Sequence, residues 1–158
     1  MACNNENSTE KNVSFDWQGH RGARGLMPEN SVPSILKALE FPKVKTLEFD
    51  VVVSKDKKML LSHEPWMSHH ICSHPHPNYN KVQVEEEDSL VIYQMNYEEV
   101  KQFDCGAFGN KRFPDQHKMN VYKPLLSEII ENVVSFCKAQ EQEVPHFNIE
   151  LKSLPEWY

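Results

Sequence analysis

Between Lys45 and Val53 the chain alternates, with Leu47, Phe49 and Val51 on one side of an extended strand and Glu48 and Asp50 on the other, because successive strand side chains point to opposite faces. A strand that buries an apolar face against helices while turning two carboxylates inward is costly unless a cation accompanies them. A metal would relieve the repulsion. The next residues restrict the path further. The turn Ser54 to Lys58 runs straight into Met59, Leu60 and Leu61, a link too short for a helical crossover, so the chain must fold back on itself. Folding about Lys55 or Asp56 brings His63 to the level of Glu48 and Asp50.

The flanking segments show the same division of faces. Phe15 to His20 alternates, with Phe15, Trp17 and Gly19 opposite Asp16, Gln18 and His20, which predicts a half-buried strand with His20 on the polar face at its end. Gly22 and Gly25 allow a tight loop. Asn30 or Ser31 then caps a helix that tolerates Pro33 in its first turn, with Ile35, Leu36 and Leu39 as its inner face and Pro42 closing it. Pro124 to about Gln140 predicts a second amphipathic helix, since Leu126, Ile129, Ile130, Val133 and Cys137 recur at spacings of three and four. After Pro145, Phe147 to Lys152 predicts another strand, with Ile149 and Leu151 outward and Glu150 and Lys152 inward.

The middle of the chain is less regular. His69 to about Glu87 has no period, and the whole region of about 66–120 is expected to be an insertion following the His63 strand. Within it, Leu90 to Met95 predicts a short strand, Asn96 to Phe103 a short helix capped by Asn96 with Glu99 three residues on, and Asp104 to Asn120 a loop. Imidazoles spaced like His69, His70, His74 and His76 can bind zinc or nickel; the alternatives are a polar insertion loop or contact with a leaving alcohol.

With 158 residues, 39% of them hydrophobic and 25% charged, the chain has room for one domain with a real core. A formal charge of −6 leaves no basic stripe for nucleic acid, although a small phosphorylated ligand needs only local positive charge. No apolar run approaches the roughly 18–20 residues of a membrane-spanning helix. The four cysteines have no metal-site spacing: Cys137 is expected to be a buried small hydrophobe, and Cys72 and Cys105 can pair in an oxidising compartment. Met1 to Asn12 is polar and aperiodic and is expected to be a disordered tail, leaving a folded domain over 13–158. The opening Ala2-Cys3-Asn4-Asn5 resembles the start of a mature bacterial lipoprotein, in which Cys3 carries lipid and the protein sits in the cell envelope or periplasm. If Cys3 is accidental, the location is cytoplasmic.

Strands alternating with helices and carrying polar residues at their C-terminal ends fit an α/β fold of the TIM type, a (β/α) barrel with its site at the C-terminal face. An open doubly wound sheet fits less well, because Gly19-His20-Arg21-Gly22-Ala23-Arg24-Gly25 lacks the spacing of a glycine-rich dinucleotide loop.

Taken in order, Gly19-His20-Arg21-Gly22, Pro28-Glu29-Asn30-Ser31, Glu48-Phe49-Asp50, His63 and Asn148-Ile149-Glu150-Leu151-Lys152 resemble the glycerophosphodiester phosphodiesterase family from about residue 14 onward. The resemblance implies a barrel and a metal-dependent hydrolysis that releases glycerol 3-phosphate and an alcohol. A phosphodiester needs a cation and a phosphate clamp for its growing negative charge, and two groups to move protons. The oxygen-only set Glu48, Asp50 and Glu150 favours Ca²⁺ or Mg²⁺. Arg21 and Lys152 are candidates for the phosphate, and His20 and His63 for general acid and base, with their order open. Glu29 either braces the loop behind Arg21 or reaches the glycerol. Phosphodiesterases like phosphatidylinositol phospholipase C or sphingomyelinase D, and a metal-binding module without turnover, are the competing readings.

A complete barrel of this kind takes about 250 residues. The chain is therefore expected to be the site-bearing N-terminal half of one, truncated, with an open strand edge near Glu150 through which copies can self-associate.

Overall fold

The computed structural model describes residues 15–75 and 80–153. The Met1–Asn12 tail, Cys3 and His76 lie outside them. The sheet is built on β2 (Val44–Val53), whose two edges are both in use. β1 (Trp17–His20) runs parallel to its first half, pairing Gly19 with Leu47 and His20 with Glu48. β4 (His146–Leu151) runs parallel on the opposite edge, pairing Glu48 with Asn148 and Asp50 with Glu150. β3 (Met59–Leu61) folds back antiparallel, with Val51 opposite Leu61. Val51 also pairs with Leu151 of β4, so β3 must continue the edge that β1 occupies lower down. The expected hairpin is formed, and the Ser62 N–H donates to the Asp50 carbonyl at 3.0 Å.

One face of β2 makes the core. Leu47, Phe49 and Val51 are buried against Ile35, Ala38 and Leu39 of α1 (Val32–Leu39) and Ile129, Val133 and Cys137 of α3 (Leu126–Ala139). Helix α1 starts where its cap dictates, with Ser31 Oγ accepting from the Ser34 N–H at 3.3 Å and Pro33 in the first turn. It ends at Leu39, before Pro42. In α3 the buried stripe is Ile129, Val133 and Cys137, a strict run of fours; Ile130 lies one step round the helix and is exposed. Cys137 is buried and free, as expected.

The stretch expected to be an insertion forms a lobe whose apolar core is shared with the end of the sheet. Met67, Ile71, Val82, Ile92, Val100 and Phe103 pack on Val52 and Leu60 at the far end of the sheet, and Cys72 is disulfide-bonded to Cys105. Its regular structure is slight: 3₁₀ turns at Val84–Ser89 and Ile92–Gln94, and α2 (Tyr97–Val100), capped by Asn96 and Glu99. Leu90 to Met95 is thus not the strand its apolar residues suggested. Only Val91 makes a bridge, to Trp66, and Ile92 turns into the lobe core instead. Phe15 and Trp17 are mostly exposed rather than half-buried, because the helix packs on Gly19 and leaves the start of β1 uncovered.

The parallel strands β1, β2 and β4, with helices on one face, have the arrangement of a barrel wall, but the sheet is open rather than closed. Among the described residues no strand pairs with the outer edge of β4.

Candidate active site

The loop from His20 to Ser31 is fastened at almost every step. Arg21 adopts a left-handed backbone, φ 51°, held by its own N–H donating to Glu48 Oε2 at 2.8 Å and by two donors on its carbonyl, Ser34 Oγ and the Asn30 N–H. Gly22 follows at φ 77°, with a Cβ at this position falling 2.5 Å from the backbone of Ser34. Only glycine lets the loop lie so close to the start of α1. Local strain is thus concentrated beside the candidate site and fixed by hydrogen bonds.

Three carboxylates converge below this loop. Ligand oxygens of Glu48, Asp50 and Glu150 all lie within 4.8 Å of one another, because Glu48 and Asp50 share the inner face of β2 and Glu150 stands opposite Asp50 on β4. Two basic side chains also reach them. Lys152 Nζ lies 2.5 Å from Glu150 and 3.3 Å from Asp50. Arg21 donates from Nη1 to Glu29 at 2.7 Å, and its buried Nε lies 3.3 Å from Asp50 without the alignment of a hydrogen bond. Both candidates for phosphate binding are thus engaged with carboxylates, and Glu29 braces Arg21. The Lys152 hydrogen bond is the chief reason the Glu150 carboxyl is held below its ordinary value.

An all-oxygen donor set of this kind fits a hard divalent cation.

The two histidines flank the carboxylates. His20 is exposed at the end of β1, with Nε2 3.8 Å from Glu48. Partial burial, then the charge of Arg24, lower its affinity for a proton below the ordinary value, while Glu48 and Asp50 act the other way. His63 follows the β3 hairpin, near enough to Glu150 for the two to interact electrostatically. Its Nδ1 lies 2.8 Å from Glu64 Oε1. Burial pushes the Glu64 carboxyl up, but the His63 hydrogen bond and the nearby Lys123 charge outweigh it, leaving the group ionised at neutral pH. The His63 Nδ1 therefore carries the hydrogen, and Nε2 is the nitrogen left for chemistry.

Two residues support the site in ways that the sequence does not assign to them, Asn30 being a candidate helix cap. Asn30 donates from Nδ2 to Asp50 Oδ2 at 3.0 Å and accepts through Oδ1 from the Asp50 backbone N–H at 3.3 Å, so it ties down both the side chain and the main chain of that residue. Lys123, buried, donates to Ser62 Oγ at 2.8 Å. Asn30 belongs to a recognisable Pro-Glu-Asn-Ser stretch, but nothing local distinguishes Lys123.

The histidine-rich run is used differently. His69 Nδ1 pairs with Glu87 at 2.7 Å and His74 Nε2 with Glu86 at 3.0 Å. Among the described residues these histidines join no group of three potential metal ligands.

A comparison with curated proteins finds no match. Among solved structures, a chain from Silicibacter pomeroyi DSS-3 assigned as a glycerophosphoryl diester phosphodiesterase is 29% identical, with a TM-score of 0.74 over 88% of this chain and 46% of that one. A phosphodiesterase of Oleispira antarctica, solved with its product sn-glycerol-3-phosphate, is 23% identical, with a TM-score of 0.62 over 90% of this chain and 46% of the other. A glycerophosphodiester phosphodiesterase from Agrobacterium tumefaciens is 21% identical, with a TM-score of 0.60 over 89% and 48%. The chain thus spans about half the length of the solved structures it matches, and these likenesses support a TIM-barrel-like fold. Residues 20–155, from the first histidine to just beyond Lys152, match the glycerophosphoryl diester phosphodiesterase family, and the chain belongs to that family.

Proposed function

We propose that this chain carries the site of a metal-dependent phosphodiesterase that hydrolyses glycerophosphodiesters to glycerol 3-phosphate and an alcohol. The convergence of Glu48, Asp50 and Glu150 within 4.8 Å, flanked by two histidines and Arg21, is the observation that carries this reading. Glu48, Asp50 and Glu150 would hold one Ca²⁺ or Mg²⁺ ion. The ion, when bound, offsets the negative charge that grows on the phosphoryl oxygens.

The chain's own groups do the rest. Arg21, whose Nε has no aligned acceptor, and Lys152, beside the same carboxylates, turn their donors to the phosphate. The acid and base work is divided between the two histidines. His20, partly buried and beside Arg24, stays neutral and accepts the proton of the glycerol hydroxyl next to the ester as that oxygen attacks phosphorus. The Glu64 carboxylate, on Nδ1, orients His63 so that a proton passes from its Nε2 to the departing alkoxide. A cyclic phosphate and the free alcohol result. Water then opens the ring, with each histidine returning its proton in the reverse sense.

The Cys72–Cys105 bond suits an oxidising compartment, in keeping with an envelope location. Release of glycerol 3-phosphate from glycerophosphocholine, with inositol phospholipid and sphingomyelin as controls, tests the activity. Metal-dependent turnover of the first alone is expected. Turnover of a control alone, or of no diester by metal-loaded protein, overturns it.

A further inference from the structure

Arg24 and Arg112 approach the same aromatic ring, their guanidinium carbons lying 5.0 and 6.0 Å from the centroid of Phe113. Among the described residues neither makes an ion pair with a carboxylate, and the same is true of Lys81 and Lys111. Gathering unpaired like charges costs free energy that grows as water is excluded. Arg24 registers that cost: burial, then the charges of Arg21 and Arg112, weaken its hold on its proton, with Glu29 and Glu48 only partly compensating. The chain as a whole carries a formal charge of −6, so this concentration of free cations runs against its overall balance.

Their position is specific. Lys81, Lys111 and Arg112 line a cleft of about 690 Å³ between the insertion lobe and the His20–Ser31 loop, a volume in the usual range for a small-molecule site. Its lining also takes in Arg21, Glu29 and Glu64 beside the candidate site, and one further acidic side chain, Glu85. Glu29 and Glu64 are already matched to Arg21 and His63. The cleft therefore leads outward from the reacting centre into a zone where positive charge is in excess.

We propose that this cleft is a second phosphate subsite: it takes an anionic group carried by the alcohol part of the diester, and Lys81, Lys111 and Arg112, with Arg24 beside Arg112 across Phe113, select such substrates. This deepens the phosphodiesterase reading and rests on it for the direction in which the alcohol lies. The substrate class is a glycerophosphodiester whose leaving alcohol itself bears a phosphate or phosphodiester. Arginines suit that task because their planar donors pair with phosphate oxygens two at a time. The Phe113 ring, by flanking both guanidiniums, limits their rotation and keeps the donors pointed.

The test separates the subsite from the activity. The full chain is titrated calorimetrically, without added metal, with 1,3-bis(glycerophospho)glycerol and with glycerophosphoglycerol, which differ by one phosphodiester on the leaving alcohol. The first is expected to bind about tenfold more tightly, beyond the factor of two that its symmetry supplies, and Arg112→Glu and Lys111→Glu are each expected to erase most of the difference. In the unmodified chain added salt should narrow the preference, which serves where a variant folds poorly. Equal affinity for the two ligands, or a preference that survives both charge reversals and high salt, overturns the subsite even if both diesters are hydrolysed once metal is restored. A clear preference with no hydrolysis overturns the activity and leaves the subsite standing.

Discussion

Lys123 places its ammonium 2.8 Å from Ser62 Oγ in the interior of the molecule, on the residue that precedes His63. Burial is the largest influence and leaves the ammonium's hold on its proton below the ordinary value, with the charges of Glu64, Glu29 and Asp50 opposing it only in part. The residue thus ties the segment before α3 to the hairpin that carries His63, and it supplies positive charge behind three carboxylates. Replacing it by alanine leaves those carboxylates short of a counter-charge, so Lys123→Ala is expected to lower stability by roughly 3 kcal/mol. Chemical denaturation measures this, and a loss within error of zero would show that the contact is incidental.

The same neighbourhood sets a pH dependence. The Glu64 carboxyl lies below its ordinary value of 4.5: burial acts upward, and the His63 hydrogen bond and Lys123 charge outweigh it. A carboxyl whose proton affinity is lower in the folded state stabilises the fold above the unfolded-state value and loses that contribution as pH falls through the folded-state value. The fall in Tm on acidification below pH 4.5 should therefore be shallower in Glu64→Gln than in the unmodified chain. Parallel curves would remove Glu64 from the account.

Much of this arrangement is legible in the sequence where the signal is local. Leu47, Phe49 and Val51 alternate with Glu48 and Asp50, and the strand they predict is present with those faces. Ser31 caps its helix and the short turn forces the hairpin. The insertion resists such reading because its core takes single residues from distant segments, such as Met67, Val82 and Phe103, and a disulfide rather than periodicity holds them. Lys123 is likewise invisible: its partner Ser62 is far away in sequence. Of the readings that the histidine-rich run leaves open, its contacts fit the polar loop: His69 and His74 turn to the acidic run at Glu86 and Glu87, which lies in the same aperiodic stretch.

Metal removal is expected to abolish turnover. Lys152 and Arg21 already lie within 3.3 Å of Asp50, so the carboxylates can persist without an ion and the fold should survive EDTA. The measurement is paired: activity lost and restored by Ca²⁺ or Mg²⁺, with Tm changing little on chelation. Full activity in protein free of metal by elemental analysis would sink the proposed role of Glu48, Asp50 and Glu150.

For the histidines, His20→Ala and His63→Ala should each lower kcat by about 10²–10⁴-fold while leaving metal affinity nearly intact. Because His20 must be neutral to accept a proton and its affinity for one is depressed, the acid limb of kcat/KM should fall below pH 6.5. His74→Ala, on the lobe, should do far less. Near-normal kcat in either of the first two variants removes that residue from the mechanism.

The free edge of β4 carries the last expectation. That strand pairs with β2 on one side, and among the described residues nothing pairs with the other, so its outward N–H and C=O groups are open to a second chain. Leu151 is 74% exposed and Ile149 39%, which adds apolar surface beside the unpaired backbone. Two such edges brought together antiparallel would satisfy both rows of hydrogen bonds and cover both leucines. The chain is therefore expected to self-associate as its concentration rises, and Leu151→Lys, which places a charge on the apolar strip without touching Glu150 or Lys152, is expected to weaken that association about tenfold. Sedimentation velocity over a range of concentrations reads the effect. An unmodified chain that remains monomeric throughout, or one whose association is indifferent to Leu151→Lys, would show that this edge is not the contact.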